Sequence, residues 1–204
     1  AIGRGGHASE PQRAVDPIPV ACENVTALQT KVPRSIDEFD PAVDTIGRIT
    51  AGTTNTLIPE VAEIEGTIRT TSERTRAKVH DGIRRVAEGV AAAHDCDCDV
   101  EVVLGYPVTS NDDRMAEFAL GLAADVAGHD SVVRLPNPVM GAEDFSYVLQ
   151  NVPGAMAFLG GTPLERNPAT AAPNHSNRVT FDEEAMVTGT ALYATAALRH
   201  LAPA

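Results

Sequence analysis

The chain has 204 residues, 43% of them hydrophobic and 22% charged, the balance of a globular protein able to bury one large core or two small ones. A formal net charge of -12 at pH 7 excludes nucleic acid and anionic membranes as expected partners, since both require a basic surface. No apolar run approaches a membrane span, and the opening AIGRGGHAS lacks the layout of a signal peptide, so a cytoplasmic protein with no membrane partner is expected.

Residues 1–8 read as the end of a strand, in which His7 is surrounded by small residues, Gly3, Gly5 and Gly6 among them. Asp16 can cap a helix whose first turn tolerates Pro17 and Pro19, and Ile18, Cys22, Val25, Leu28 and Val32 follow at helical spacing. After the loop PRSIDEFDP come two strands, about 43–51 and 60–69. In the second, Ala62, Ile64, Gly66 and Ile68 face one way and Glu63, Glu65, Thr67 and Arg69 the other. Ser72 opens a helix carrying Val79, Ile83, Val86 and Val90. In the segment DCDCDVEVVL, Cys96, Cys98, Val100 and Val102 share one parity, which predicts a strand with a buried face. A C-x-C pair without further ligands makes a poor metal site, and three cysteines without a disulfide pattern fit a reducing compartment. The predicted order is βαββαβ, a ferredoxin-like module ending near Gly105.

Tyr106–Asp112 reads as a linker, with Asn111 capping a helix through Met115, Ala119, Leu122 and Val126. The stretch RLPNPVMGAEDFSYVLQNVPGAMAFLGG predicts a loop, a helix and a strand, followed by a Pro- and Ala-rich loop from Thr162 to Pro173. A last helix is capped by Asp182 and packs Ala185, Leu192 and Ala196. About three helices with one or two strands is too little sheet for a self-sufficient α/β domain.

Of six histidines, His80, His94 and His200 fall in or at the ends of amphipathic helices, and His129 follows a helix-terminating Gly128. His7 and His175 instead occupy irregular segments bounded by small residues and turn formers, where sites concentrate. Glu143 and Asp144 open a helix, a placement its dipole alone explains.

Four segments in order, GRGGHASEP with AVDP, GTTNTLIPEVAEIEGTIRT, MGAEDFSYVLQNVPGAMAFLG and NHSNRVTFDEEA, resemble the metallo-aminoacylase and carboxypeptidase family. The nearest branch is that of hippurate hydrolases and indoleacetyl-amino-acid hydrolases. The resemblance implies a metal-dependent amidohydrolase that cleaves N-acyl-amino acids or peptide-like substrates, using two divalent ions, zinc or manganese. It implies an α/β architecture in which residues 1–106 form a ferredoxin-like satellite domain that mediates homodimerisation. Residues 107–204 would then be the C-terminal, incomplete part of the catalytic domain.

By the same resemblance His175 matches a metal ligand, and His7 matches the satellite histidine that reaches the partner subunit's site and donates to the developing oxyanion. The flanking glycines would let that loop approach the other subunit. Asn55 and Arg69 match a polar pair holding the substrate carboxylate, a task suited to the arginine fork. Gly141 matches backbone lining the substrate pocket. The family's other metal ligands and its general-base glutamate precede the satellite domain and have no counterpart among these residues. The chain alone is therefore expected to retain no metal pair and to be inactive. Two readings stand beside it: a non-catalytic dimerisation or carboxylate-binding module, and one half of a split enzyme.

Overall fold

Alternating β-branched residues and a tightly capped helix on either side of them shape the first half of the chain. In a computed structural model, which describes residues 1–202, the chain divides into two units. The first is Ala1–Val108 with Pro138–Ala142, and the second is Thr109–Asn137 with Glu143–Ala204.

In the first unit, β1 (Gly6–His7) is followed by α1 (Pro17–Ser35), β2 (Ala42–Ala51), β3 (Leu57–Ile58), β4 (Ala62–Thr70) and α2 (Glu73–Ala93). β2 pairs antiparallel with β4 from Ala42↔Thr70 to Ala51↔Ala62, with a bulge between Ile46 and Arg48. β1 pairs antiparallel with β3, and isolated bridges join Ile2 to both Val61 and Asp97. The backbone therefore runs laterally from β2 through β4 to the N-terminal segment and then to Asp97. α1 packs on β2, β4 and α2, so both helices cover one face of these strands.

α1 and α2 each start where a side chain can accept from an otherwise orphaned amide. Asp16 accepts from Ile18 N at the start of α1, and Ser72 from Thr75 N at the start of α2. The buried face of α1 is Pro17, Val20, Ala21, Asn24, Leu28 and Val32. That corrects the expected stripe, since Ile18 is 38% exposed and Cys22 is exposed. The true face includes the polar Asn24, which apolar periodicity could not select.

A second correction concerns residues 95–104, which form no strand. The expected parity survives, with Cys96 buried and Cys98, Val100 and Val102 partly buried, but among the described residues the only bridge there is that of Asp97. Cys96 N donates instead to Ala91 O at 3.0 Å, ending α2, and Cys96 packs with Val20 and Ala91. Burial raises both thiols above their ordinary range, leaving them protonated small hydrophobes.

The second unit holds α3 (Asp113–Ala127), α4 (Ser146–Leu149) and α5 (Ala185–Leu201). Asn111 does not cap α3. Asp112 does, accepting from Met115 N at 2.9 Å, while Asn111 forms a two-way clasp with the backbone of Met156. The expected strand in VPGAMAFLGG is absent among the described residues, because that clasp and Asp112 N→Gly154 O hold the segment without a ladder partner. Asp182 serves the last helix as expected in kind, its Oδ1 accepting from Glu184 N at 3.1 Å, although α5 itself begins at Ala185. α5 has no buried residue, and Tyr193 is 84% exposed.

Two carboxylates of the first unit carry opposite consequences for stability. Asp40 accepts from Thr71, Ser72 and Thr75 hydroxyls at 2.9, 2.7 and 2.7 Å and from Arg74 at 3.0 Å, pinning the α1–β2 loop to the start of α2. These donors, Ser72 foremost, hold its carboxyl well below the usual carboxylate range. Asp44 Oδ2 is buried without a partner, and desolvation raises its carboxyl. A depressed folded-state value stabilises above the unfolded value of about 3.9 and is lost as pH falls below it, whereas a raised one destabilises as pH rises. Asp40→Asn is therefore expected to lower the thermal midpoint at pH 7 and to flatten its decline below about pH 4. Asp44→Asn is expected to raise stability at pH 7 by about 1 kcal/mol, the low end for a partly solvated unpartnered acceptor. Urea titrations of both variants at several pH values check the pair.

Candidate functional site

His7 is set by the ladder on which it ends. It pairs with Leu57, its carbonyl accepts from Glu10 N at 2.9 Å, and the next amide, Ala8 N, donates to Thr56 O at 3.0 Å. Ser9 folds back over the ring, with its amide 3.1 Å and its hydroxyl 2.7 Å from His7 Nδ1. The imidazole itself is exposed.

The glycines beside it answer to this chain's own backbone. A Cβ on Gly3 would lie 2.1 Å from Val15 O, one on Gly5 3.0 Å from Ile58 O, and one on Gly6 2.9 Å from Ala14 Cβ. Close approach within the unit is by itself enough to require glycine at these three positions. A shallow cleft of ≈ 420 Å³ opens here, lined by Gly5, Gly6, Gly52, Thr53, Leu57, Ile58, Pro59 and Glu60.

Asn55 lies in the turn just before β3, at the same end of the ladder as His7, and is exposed. Arg69 is opposite Val43 near the far end of β4, exposed, with one guanidinium nitrogen donating to Ile68 O at 3.0 Å. At about 3.3 Å per residue the strand separates the two by roughly 20 Å or more. One chain therefore does not bring Asn55 and Arg69 together as a pair.

Gly141 lies in an irregular loop, where a Cβ would meet only Val139 Cγ1 at 3.9 Å, so packing does not demand glycine. In the second unit, His175 occupies an exposed turn with φ 70°, left-handed backbone that side chains rarely adopt. Its amide donates to Asn174 Oδ1 at 3.1 Å, and Ser176 N donates to Pro173 O at 3.1 Å. Backbone of this kind clusters at functional sites, and Asp95 also adopts it, at φ 56°, just after α2. Among the described residues no three His, Cys, Asp or Glu side chains come together as a metal site. Sequence reasoning missed Ser9, whose only signal was its position two residues after His7.

Residues 5–199 match the profile of peptidase family M20/M25/M40. Over 198 residues the chain is 34% identical to thermostable carboxypeptidase 2 of Saccharolobus solfataricus, covering 97% of this chain and 49% of that protein. It is 32% identical over 200 residues to the hippurate hydrolase of Campylobacter jejuni, covering 98% and 50%. A candidate aminohydrolase from methicillin-resistant Staphylococcus aureus has a crystal structure similar to this fold with TM-score 0.86 and 29% identity, over 98% of this chain and 51% of its own. A dinuclear metal-binding M20 peptidase of Bacillus subtilis follows at TM-score 0.71 and 29% identity, over 92% and 47%. The chain thus spans about half the length of the relatives it matches.

Two substitutions separate structural from chemical residues at these positions. Gly3→Ala is expected to destabilise the first unit by about 3 kcal/mol, the upper end of overpacking, because the clash is with backbone. His175→Gly removes the imidazole and also the left-handed strain, so the thermal midpoint is expected to hold or rise. Calorimetry of both variants checks this, and a large fall in His175→Gly would make that histidine a packing residue.

Proposed function

The chain belongs to peptidase family M20/M25/M40, and from that premise we propose that it forms part of a metal-dependent amidohydrolase acting on N-acyl-amino acids or peptide-like amides. The observation that carries this reading is His7 itself. It is an exposed imidazole fixed at the end of a ladder by backbone contacts on both sides, so its ring is presented on a rigid element.

In this reading His7 donates a hydrogen bond to the amide carbonyl oxygen as negative charge gathers on it, a contribution of roughly 3–4 kcal/mol for such a donor. Arg69 binds the substrate carboxylate with two parallel N–H donors, and Asn55 adds a neutral one. Because Asn55 shares an end with His7 and Arg69 lies at the other, the groups would converge on one substrate only when supplied by two protomers. β2 supports such a homodimer. It pairs with β4 on one side and offers a free edge on the other among the described residues, and an edge of this kind can extend a sheet across a two-fold axis.

His175 is the residue assigned to the metal pair. The donors of this chain do not fit such a centre by themselves, since a catalytic zinc takes about three protein ligands and no cluster of three is present among the described residues. No step is therefore assigned to a metal here, and hydrolysis is proposed to need further ligands from outside these residues. The exposed apolar side chains of α5 support a second unit that packs against more protein than it contains.

The test has two stages. This chain, incubated with zinc or manganese and N-acetyl- or N-benzoyl-amino acids, is expected to show no turnover. Completed by a polypeptide carrying the remaining ligands, it is expected to hydrolyse one of them, with His7→Asn lowering kcat roughly 10²–10³-fold. Arg69→Ala is expected to raise KM roughly 10- to 150-fold, the equivalent of a 1.5–3 kcal/mol charged hydrogen bond. A completed assembly that binds such carboxylates but cleaves no amide would make the chain a binding module.

A further inference from the structure

We infer that Ser9 is a positioning residue that keeps the ring proton of His7 on Nε2, leaving the outward nitrogen a hydrogen-bond donor with no free lone pair anywhere on the ring. This deepens the proposed function and rests on its reading of His7 as a donor to the reacting carbonyl.

The geometry leaves little freedom. Ser9 N lies 3.1 Å from His7 Nδ1, and a backbone amide can only donate. Nδ1 must then offer a lone pair, and a neutral imidazole has one nitrogen of that kind, so the proton is on Nε2. The Ser9 hydroxyl, 2.7 Å from the same Nδ1, rotates to donate as well. Both donors are held by the ladder rather than by a loose tip, because Ala8 N→Thr56 O and Glu10 N→His7 O fix the backbone on either side of Ser9. Nε2 has no partner among the described residues and the side chain is exposed, so this N–H is available to a ligand. A ring locked in this way cannot accept a proton as a general base without breaking the Ser9 bonds.

The tautomer is read directly in the chain labelled with 15N-imidazole histidine, by long-range proton–nitrogen correlation at alkaline pH, where imidazole is neutral. His7 is assigned by the signals lost in His7→Gln, and the exposed His129 serves as an untethered reference. The expected wild-type pattern is a fully unprotonated Nδ1 and a fully protonated Nε2, further apart in shift than the nitrogens of His129. Ser9→Ala keeps the amide donor and loses the hydroxyl, so it moves the two shifts part of the way toward the His129 values, and Ser9→Thr, which keeps both donors, restores them. A wild-type proton on Nδ1, or shifts that do not move in Ser9→Ala, overturns the inference. The spectrum is recorded without substrate or metal, so its result and that of the hydrolysis assay are independent. Hydrolysis with an unmoved tautomer removes Ser9 alone, and a moved tautomer with no hydrolysis removes only the functional reading.

Discussion

The first unit depends on how near the backbone of residues 3–6 lies to residues 14–15 and 58–60. Ile2 is bridged to Val61 and Asp97, Gly3 N donates to Glu60 O at 2.8 Å, and Arg4 exchanges two bonds of 2.9 Å with Val15. A segment gripped from several directions has no room for side chains at the points of closest approach. That is why Gly3 stands 2.1 Å, measured from its absent Cβ, from a carbonyl oxygen. The same grip ends at His7, whose imidazole emerges into solvent.

From that constraint follows the distribution of polar groups along the strands. The run from β3 through β4 carries Asn55 just before it and Arg69 near its end, and the pleat alternates exposed and covered positions in between. A β-ladder is stiff along its length, so groups at its two ends cannot be drawn together by a rotamer change or a loop movement. If they serve one substrate, as proposed, they do so from different protomers, and the distance along β4 becomes a requirement for pairing rather than an obstacle to it. The Asp40 cluster contributes from below by tying the start of α2 to the α1–β2 loop.

Much of the first unit was legible because its signals are local. The caps Asp16 and Ser72, the alternation through Ile64 and Ile68, and the helical spacing around Leu28 each state a physical preference within a few residues. What escaped depends on partners distant in sequence. The inward parity of Cys96 and Cys98 was right, yet whether those residues become a strand is decided by a neighbouring ladder, and only Ile2 reaches them. The face of α1 was rotated because Asn24 is buried, and Asn111 lost its capping role to its neighbour because its amide suited the Met156 backbone better. For the candidate site, the segment around His7 stood out by its glycines, but the internal close contacts that require them were not legible, since Val15, Ala14 and Ile58 reach them only in the fold. Ser9 was invisible, since a serine two residues from a histidine states nothing until the turn places both of its donors on one nitrogen.

In the proposed function His7 works near metal ions, and the Ser9 contact bears on how a histidine does so without binding one. Imidazole is a common ligand for zinc through whichever nitrogen carries the lone pair. In His7 that lone pair is on Nδ1, and the Ser9 amide and hydroxyl occupy it. The exposed nitrogen then bears a proton and repels a cation while attracting a developing oxyanion. His175 is the opposite case, a histidine on left-handed backbone whose ring makes no hydrogen bond among the described residues and can offer a lone pair in either tautomer. In the proposed function the two histidines meet opposite charges, and their surroundings differ accordingly: donors consume the lone pair of His7, while the turn at His175 leaves its ring unengaged among the described residues.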